Sequence, residues 1–229
     1  MELIITHMSD THGNFEAYPE DPECDILVHS GDVTGWGQMH EIRKFIRKME
    51  DYVCPVKILV AGNHDEVCEE WRMQVENLCR DAGIFYLQDL GFSILGLTFW
   101  GSPWTPEFNN WHFNLKRGDE LREKWGWIPE DTDVLITHGP PALKLDYYEG
   151  MHLGCEDLAK AVERVKPALH LFGHIHPARG HMEDAHTVYV NGSQCDNRNV
   201  IVAPPTLITI DTESKAVLSV RELGAEDQI

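Results

Sequence analysis

The chain has 229 residues, and at roughly 150 residues per domain this length favours one domain over two. Lys and Arg number 19 against 38 Asp and Glu, so the formal net charge is -19 at pH 7. A surface of that sign repels phosphate backbones and anionic lipids at long range, which disfavours a nucleic-acid scaffold. Salt screens such fields over about 8 to 10 Å, so a small anionic substrate held by local positive charge is not excluded.

The composition is that of an ordinary globular protein, with 42% hydrophobic and 25% charged residues. The six cysteines form no C-x-x-C pair and no recognisable disulfide framework. The first residues lack the basic and apolar regions of a signal peptide, and no apolar run approaches the ~18 residues of a membrane span. We therefore expect a single domain over residues 1–229, located in the cytoplasm, without a membrane partner. The sequence does not indicate an oligomeric state.

Five short and almost entirely apolar segments predict strands that are buried on both faces. They are residues 3–8, 25–29, 56–60, 134–136 and 168–172. Apolar residues at helical spacing predict helices between them, over 42–49, 71–79 and 158–165. Strands that alternate with helices predict an α/β fold, in which ligands gather beyond the carboxyl ends of the strands.

The middle and the tail of the chain follow a different pattern. Residues 85–87 and 92–99 predict a strand pair. Three strand-like segments without intervening helices follow later, at 186–190, 206–210 and 217–220. They indicate an antiparallel edge or a second sheet. The acidic stretch 16–25, which contains two prolines, predicts a solvated loop.

Polar clusters directly after the five apolar segments carry the chemistry of this sequence. Each cluster alone is a weak signal, but five in order, all at predicted strand ends, are a strong one. Together they supply two carboxylates, one amide and four imidazoles: Asp10, Asp32, Asn63, His12, His138, His174 and His176. These donors suit Mn, Fe, Co, Ni or Zn, and the absence of thiolates argues against a structural zinc site. Seven side chains are too many for one ion and fit two ions that share a bridging carboxylate. Such a pair, about 3.5 to 4 Å apart, can clamp the attacking and leaving oxygens of a phosphoryl group.

The five clusters resemble the signature motifs of the calcineurin-like metallophosphoesterases. They read Asp10-x-His12, Gly31-Asp32, Gly62-Asn63-His64-Asp65, His138-Gly139 and Gly173-His174-x-His176. The resemblance spans residues 10–176 and implies a four-layer α/β/β/α sandwich with two mixed sheets. It implies a first metal held by Asp10, His12, Asp32 and His176, and a second held by Asp32, Asn63, His138 and His174.

The same resemblance implies a mechanism. Asp32 would bridge the two ions, and a hydroxide between them would attack phosphorus in line. His64 would not be a ligand; it would stabilise the transferring phosphoryl group or protonate the leaving oxygen. Manganese is the ion we expect to work best in vitro.

An aromatic segment follows the predicted strand over 92–99. It begins Phe99-Trp100-Gly101-Ser102-Pro103-Trp104-Thr105-Pro106 and continues to Trp111. It is similar to a segment of the small MPPED-type metallophosphoesterases, which are phosphodiesterases active on cyclic nucleotides. Two interpretations stay open: the segment packs over the core, or Trp104 or Trp111 stacks on a base or lines the substrate cleft.

One departure bears on the substrate. Protein Ser/Thr phosphatases of the superfamily carry an arginine soon after the Gly-Asp motif, whereas Asp32 is followed here by residues 33–37, Val-Thr-Gly-Trp-Gly. A bidentate arginine suits a dianionic monoester, so its absence favours diesters. Arg72, Arg179 or Arg198 could still enter the cleft from elsewhere, but a solvated surface position is the role we expect for each.

The sequence therefore predicts a two-metal phosphodiesterase that hydrolyses a small phosphodiester such as a cyclic nucleotide. A nuclease acting on DNA or RNA ends is the first alternative, although it would need a basic track that a charge of -19 disfavours. The others are a phosphomonoesterase or protein phosphatase of the same superfamily and a metal-binding scaffold with little turnover.

Overall fold

The computed structural model describes residues 1–14 and 24–224. The solvated loop predicted over 16–25 lies outside these residues, apart from its last two positions. The helices are α1 (Met39–Glu50), α2 (Glu66–Glu70), α3 (Arg72–Asp81), α4 (Asp119–Gly126) and α5 (Glu156–Val165). The strands are β1 (Glu2–Met8), β2 (Ile26–His29), β3 (Val56–Leu59), β4 (Ile84–Tyr86), β5 (Leu90–Ile94), β6 (Leu97–Ser102), β7 (Thr105–Pro106), β8 (Asn114–Leu115), β9 (Val134–Thr137), β10 (Tyr147–Tyr148), β11 (Met151–His152), β12 (Leu169–Phe172), β13 (Gly180–Glu183), β14 (Val188–Asn191), β15 (Thr206–Asp211) and β16 (Val217–Glu222).

Two six-stranded sheets form the centre of the fold. The first has the order β16-β15-β1-β2-β3-β4, and its strands run parallel from β1 to β4. The second has the order β13-β14-β12-β9-β6-β5 and is parallel from β14 to β6. Antiparallel strands complete both sheets, so both are mixed, as predicted.

Side-chain alternation along the strands builds the layers. Ile26 and Val28 of β2 pack into the apolar layer between the sheets, whereas Leu27 packs against α1 and Phe45 on the opposite face. The apolar stripe of α1 is buried because this helix covers the first sheet together with α2 and α3. Helices α4 and α5 cover the second sheet in the same way, around Trp125. The predicted four-layer α/β/β/α sandwich is thus confirmed.

The middle of the chain departs from the sequence prediction. Segment 92–99 is not one strand, because Leu95 (φ 53°) and Gly96 (φ 81°) turn the chain and produce the β5–β6 hairpin. The predicted pairing of 85–87 with 92–99 is also wrong, since β4 lies beside β3 in the first sheet. In the tail, β15 and β16 form the predicted antiparallel edge, whereas β14 pairs in parallel with β12.

This topology brings the carboxyl ends of β1, β2 and β3 to one edge, and those of β9 and β12 to the matching edge of the other sheet. The polar clusters of the sequence follow these five strands. Among the described helices, none has the length and apolar character needed to cross a membrane.

Candidate metal centre

The seven predicted ligands all lie in tight turns at the strand ends. Four residues of these turns have a positive φ: Asp10 (54°), His12 (45°), Asp32 (55°) and His174 (71°). A non-glycine residue in this region costs about 1–3 kcal/mol, and such strain clusters at functional sites. The turns therefore direct polar side chains towards one point, and the backbone is strained there.

Two motif glycines make room for the carboxylates. A Cβ atom on Gly62 would lie 2.3 Å from Oδ1 of Asp32, and one on Gly173 would lie 2.0 Å from Oδ2 of Asp10. Both distances are far below van der Waals contact, so any other residue would displace the carboxylate. Gly62 and Gly173, which precede Asn63 and His174, are thus required for close packing around the centre.

One cluster of donors forms around Asp10. Its Oδ1 lies 3.3 Å from Nε2 of His176, which in turn lies 3.3 Å from Nε2 of His12. Potential ligand atoms of these three residues all lie within 4.8 Å of one another. The Asp10 carboxylate is buried and held by the backbone N–H of His174 and the hydroxyl of Ser193.

A second cluster forms around His138. Its Nε2 lies 2.9 Å from Oδ1 of Asn63 and 3.4 Å from Oδ1 of Asp32. Asp32, His138 and His174 present ligand atoms within 4.8 Å of one another. The other oxygen of Asp32 lies 3.8 Å from Nε2 of His12. Asp32 therefore stands between the two clusters, the place of a bridging carboxylate.

The electrostatics of the centre depend on these carboxylates. Burial alone would lower the pKa of His138, but the charge of Asp32 and their hydrogen bond outweigh it and raise the pKa to about 9. Burial also opposes protonation of His176, yet its hydrogen bond to Asp10 raises the pKa to about 9. The pKa of Asp32 is held below its usual range, since the neighbouring histidines outweigh the effect of burial. Burial would raise the pKa of Asp10, but its hydrogen bond to His176 and the neighbouring histidines hold it well below its usual range, so both carboxylates are anions, as metal ligation requires.

The hydrogen bonds behind the imidazoles fit metal ligation. Nδ1 of His138 donates to the carbonyl of Ser30 at 3.0 Å, and Nδ1 of His176 donates to the carbonyl of Asp196 at 2.9 Å. Ligating histidines commonly donate their second nitrogen to a carbonyl or carboxylate, which fixes the ring and the tautomer. Nε2 of each ring faces the carboxylates, so the donor set fits a pair of divalent ions.

Asp65 ties two of the motif turns together. Its carboxylate accepts hydrogen bonds from the N–H groups of Val33, Thr34 and Gly62 and from the Thr34 hydroxyl. Burial, aided by the charge of Asp32, raises the pKa of Asp65 to about 6. Asp65 therefore binds the backbone of the turns and does not bind the imidazole of His64, its neighbour in sequence.

His64 lies at the side of the two clusters. Its backbone N–H donates to Oδ1 of Asp32 at 2.8 Å, and its Nδ1 donates to the carbonyl of Gly35 at 3.2 Å. Its ring meets His12 edge-on at 4.6 Å and lies 4.1 Å from the indole of Trp111, at an angle of 31°. A half-buried imidazole beside the carboxylate that stands between the clusters can reach a substrate held there.

A cavity of about 560 Å³ opens over the two clusters. Its floor contains ligand candidates and His64, and an aromatic wall stands beside them, where the Phe108 ring lies edge-on to His174 at 5.2 Å. The lining residues outside the motifs include Glu107, Phe108, Asn109, Trp111, Arg117, Tyr148, Leu153, Asn197 and Asn199. A cavity of this size and lining fits a small organic phosphate.

The structure separates the two tryptophans that the sequence singled out. Trp111 lines the cavity and is 39% exposed. Trp104 is absent from the described residues that line it. Its indole N–H donates to Asp89 at 2.9 Å, and Lys124 lies over its ring at 4.5 Å. Asp89 and Lys124 hold the indole of Trp104 in place, so the structure does not bring Trp104 to the cavity.

The three arginines that could have entered the cleft do not line the cavity, in keeping with the surface positions expected for them. Arg72 pairs with Glu76, Arg198 pairs with Asp196, and Arg179 binds backbone carbonyls and Glu222. Arg117 does line the cavity, and sequence reasoning missed it. Arg117 belongs to none of the motifs at the strand ends. A connection outside the two large sheets carries it to the cavity, beside the hairpin of β10 and β11.

The family model described as calcineurin-like phosphoesterase matches residues 3–178. The chain belongs to this family. Members use a binuclear metal centre, and the clusters around Asp10 and Asp32 supply candidate ligands for one. Membership of this family supports the assignment of the chain as a metal-dependent phosphoesterase.

Curated relatives agree with the family assignment. The chain is 37% identical over 231 residues to human metallophosphoesterase domain-containing protein 1, covering 90% of this chain and 70% of that protein. It is 36% identical over 220 residues to a UPF0046 protein of Caenorhabditis elegans, covering 91% and 75%.

Solved structures share the fold at low sequence identity. TT1561 of Thermus thermophilus superposes with a TM-score of 0.63 at 14% identity, covering 97% of this chain and 99% of that one. A structure described as a novel archaeal phosphodiesterase gives a TM-score of 0.52 at 18% identity, covering 96% and 99%.

Proposed function

We propose that this protein is a two-metal phosphodiesterase that hydrolyses small phosphodiesters, with cyclic nucleotides as the favoured substrates. The observation that carries the proposal is the position of Asp32. Its two oxygens face one imidazole of each donor cluster, and the cavity above it holds His64. The relation to an archaeal phosphodiesterase of the same fold supports this choice.

The proposed ligands are those that the family resemblance implies. Asp10, His12, Asp32 and His176 would hold one ion, and Asp32, Asn63, His138 and His174 the other. Mn, Fe, Zn, Co and Ni all suit carboxylate, amide and imidazole donors, and Mn is the ion we propose for assays. When bound, such ions lower the pKa of a coordinated water and neutralise charge on the phosphoryl oxygens.

His64 is the proposed catalytic residue. Because the carbonyl of Gly35 occupies Nδ1, Nε2 is the nitrogen left to face a substrate. There it would donate a proton to the leaving oxygen or a hydrogen bond to the phosphoryl group. General acids of this kind contribute typically ~10² to 10⁴ fold in rate.

The cations around the cavity support a diester substrate. Arg117 is the one arginine or lysine among the described lining residues, and its guanidinium is already bound by the carbonyls of Leu153 and Gly154 and by Glu156. A dianionic monoester would gain from a free bidentate arginine, which the described part of the cavity does not offer. A monoanionic diester has less need of one.

The size and walls of the cavity support a small substrate. Pockets of about 300 to 1,000 Å³ suit ligands of nucleotide size, and the volume here is about 560 Å³. Trp111 and Phe108 supply an apolar wall against which a base can lie. The net charge of -19 disfavours a long nucleic acid as partner.

A hydrolysis panel tests the proposal. Full-length protein reconstituted with Mn²⁺ is assayed on 2',3'- and 3',5'-cyclic nucleotides, bis-p-nitrophenyl phosphate, p-nitrophenyl phosphate and single-stranded DNA. We expect kcat/KM to be highest for the small diesters. A preference for the monoester would contradict the diester assignment, and DNA hydrolysis at the rate of cyclic nucleotides would indicate a nuclease. Failure of every divalent ion to give turnover would leave a metal-binding scaffold.

A further inference from the structure

The indole of Trp111 covers the imidazole of His64. The ring centroids lie 4.1 Å apart and the planes are 31° from parallel. We propose that Trp111 is a positioning residue that holds His64 in its productive orientation. This inference rests on the proposed function, because it concerns the delivery of a proton or hydrogen bond by His64.

Among the described residues, no carboxylate is hydrogen-bonded to the His64 ring, although an oxygen of Asp32 lies within 4.8 Å of one of its nitrogens. Among the described residues, the hydrogen-bond partner of its ring is the Gly35 carbonyl. Asp65, its neighbour in sequence, directs both oxygens to Val33, Thr34 and Gly62. One hydrogen bond at Nδ1 leaves the ring free to rock about that contact. A flat surface against the ring removes this freedom.

Trp111 is itself held by its neighbours, so its position does not depend on His64 alone. The backbone N–H of His112 donates to the carbonyl of Asn63 at 3.3 Å. The N–H of Phe113 donates to Glu69 at 2.9 Å, and the Phe113 ring is fully buried. The segment that carries Trp111 is therefore fastened to the same turn that carries His64.

The energies involved are sufficient for a kinetic effect. An aromatic pair of this kind is stabilised beyond the effect of the area that it buries. A misplacement of about 1 Å at a reacting group can lower a rate by about 10²-fold. Loss of the indole should therefore lower kcat and leave KM nearly unchanged for substrates that carry no base.

The kinetic test compares two base-free diesters, methyl phenyl phosphate and methyl p-nitrophenyl phosphate. The first has a poor leaving group that needs protonation, and the second has a good one. We expect Trp111→Ala to lower kcat by about 10- to 100-fold on the phenyl ester and much less on the p-nitrophenyl ester. Trp111→Phe keeps a ring against His64 and should restore most of the rate.

A double-mutant cycle and a matched control complete the kinetic test. In a His64→Ala background, Trp111→Ala should change kcat by less than about threefold, because residues that act through one another are not additive. Trp127→Ala removes a tryptophan of similar exposure, 47% against 39%, that packs on Lys124 and does not line the cavity. It should leave both rates unchanged.

A spectroscopic readout separates the placement of His64 from activity. In the Zn²⁺-loaded full chain, stacking on the indole should shift the Hε1 proton of His64 upfield, and His64→Gln assigns that signal. We expect the signal to move downfield in Trp111→Ala and to stay in place in Trp127→Ala.

Three results decide the matter. A stationary Hε1 signal in Trp111→Ala overturns the inference. Equal rate losses on both esters, or a rise in KM that persists in the His64→Ala background, also overturn it and leave Trp111 with a substrate-binding role alone. If the signal moves but His64→Ala lowers kcat equally on both esters, the positioning of the ring is supported and the proposed proton donation by His64 fails.

Discussion

The floor and the rim of the cavity are built in different ways. We call the seven ligand candidates and His64 the floor, in which Asp10 and His138 lie behind the residues that line the cavity, and residues 107–113, 147–153 and 196–199 the rim. Asp10 and His138 of the floor are fully buried, whereas Trp111 of the rim is 39% exposed. Floor residues follow strands, so the sheets dictate their positions. Rim residues stand on connections whose course the sheets do not dictate, which is where related enzymes can vary a substrate without changing the chemistry.

Hydrogen bonds reinforce this difference. The floor carboxylates are held by buried backbone and hydroxyl donors from distant parts of the chain, such as Ser193 on Asp10. The rim is joined at its exposed surface by one bond across its segments, from the amide of Asn197 to the hydroxyl of Tyr148 at 3.0 Å. We therefore expect substitutions in the floor to abolish function and those in the rim to adjust it.

Asp32→Asn should give the largest effect. Losing the carboxylate that stands between the two donor clusters removes metal affinity and several kcal/mol of charge stabilisation, which corresponds to about 10³-fold or more in kcat/KM. The measurement is kcat/KM on bis-p-nitrophenyl phosphate together with metal content. Asp119→Asn, a change at an exposed carboxylate paired with Arg122, is the control. Near-normal activity with two bound ions would contradict the bridging role.

Asp65→Ala should destabilise the floor itself. The change leaves the buried N–H groups of Val33, Thr34 and Gly62 without an acceptor. Each unpaired donor costs about 1–3 kcal/mol. We expect the free energy of unfolding to fall by about 3 kcal/mol or more, measured by urea denaturation in EDTA. A loss below about 1 kcal/mol would show that the turns hold without this carboxylate.

Acid should weaken the layer beneath the floor. Burial lowers the pKa of His7, His29 and His170 from the ordinary value of 6.5 to about 3. Between these values the unfolded chain binds protons that the folded chain does not, so the stability present above pH 6.5 is lost as the pH falls towards 3.

His170→Gln tests this dependence. Removing one such histidine should reduce the slope of unfolding free energy against pH by up to about 1.4 kcal/mol per unit below pH 6.5. Urea denaturation of EDTA-treated protein at a series of pH values gives the slope. The exposed His186→Gln is the matched control. An unchanged slope in His170→Gln would show that this ring is protonated in the folded state.

Tyr148→Phe should give the smallest effect. It removes the bond to Asn197 at the exposed rim, and a bond of this kind is worth about 0.5–1.5 kcal/mol at most. We expect kcat/KM for a cyclic nucleotide to change by less than about fivefold, mainly through KM. A loss as large as that of Asp32→Asn would place the rim in the catalytic machinery together with the floor.

The floor could be predicted from the sequence because its residues follow apolar strands at fixed offsets. A parallel strand ends at a known edge of its sheet, so Asp10 and Asp32 had to meet once both strands were recognised. The two sheets followed only from the family resemblance, since apolar periodicity does not tell which sheet a strand joins. The segment 85–87 illustrates this limit, because its pairing depends on β3 and not on any local signal.

The rim could not be predicted in the same way. Trp104 and Trp111 carry the same side chain in one segment, and what separates them is an acceptor, Asp89, that binds the indole of Trp104 from outside the segment. Arg117 and Tyr148 reach the cavity through connections without apolar periodicity. Their place follows from tertiary packing, which a single sequence does not reveal.

The central claim is a pair of ions bridged by Asp32, and anomalous diffraction from crystals of the full chain soaked in Mn²⁺ tests it most directly. We predict two anomalous peaks about 3.5 to 4 Å apart, with the Asp32 carboxylate between them. A single peak, or a pair that Asp32 does not touch, would contradict the claim.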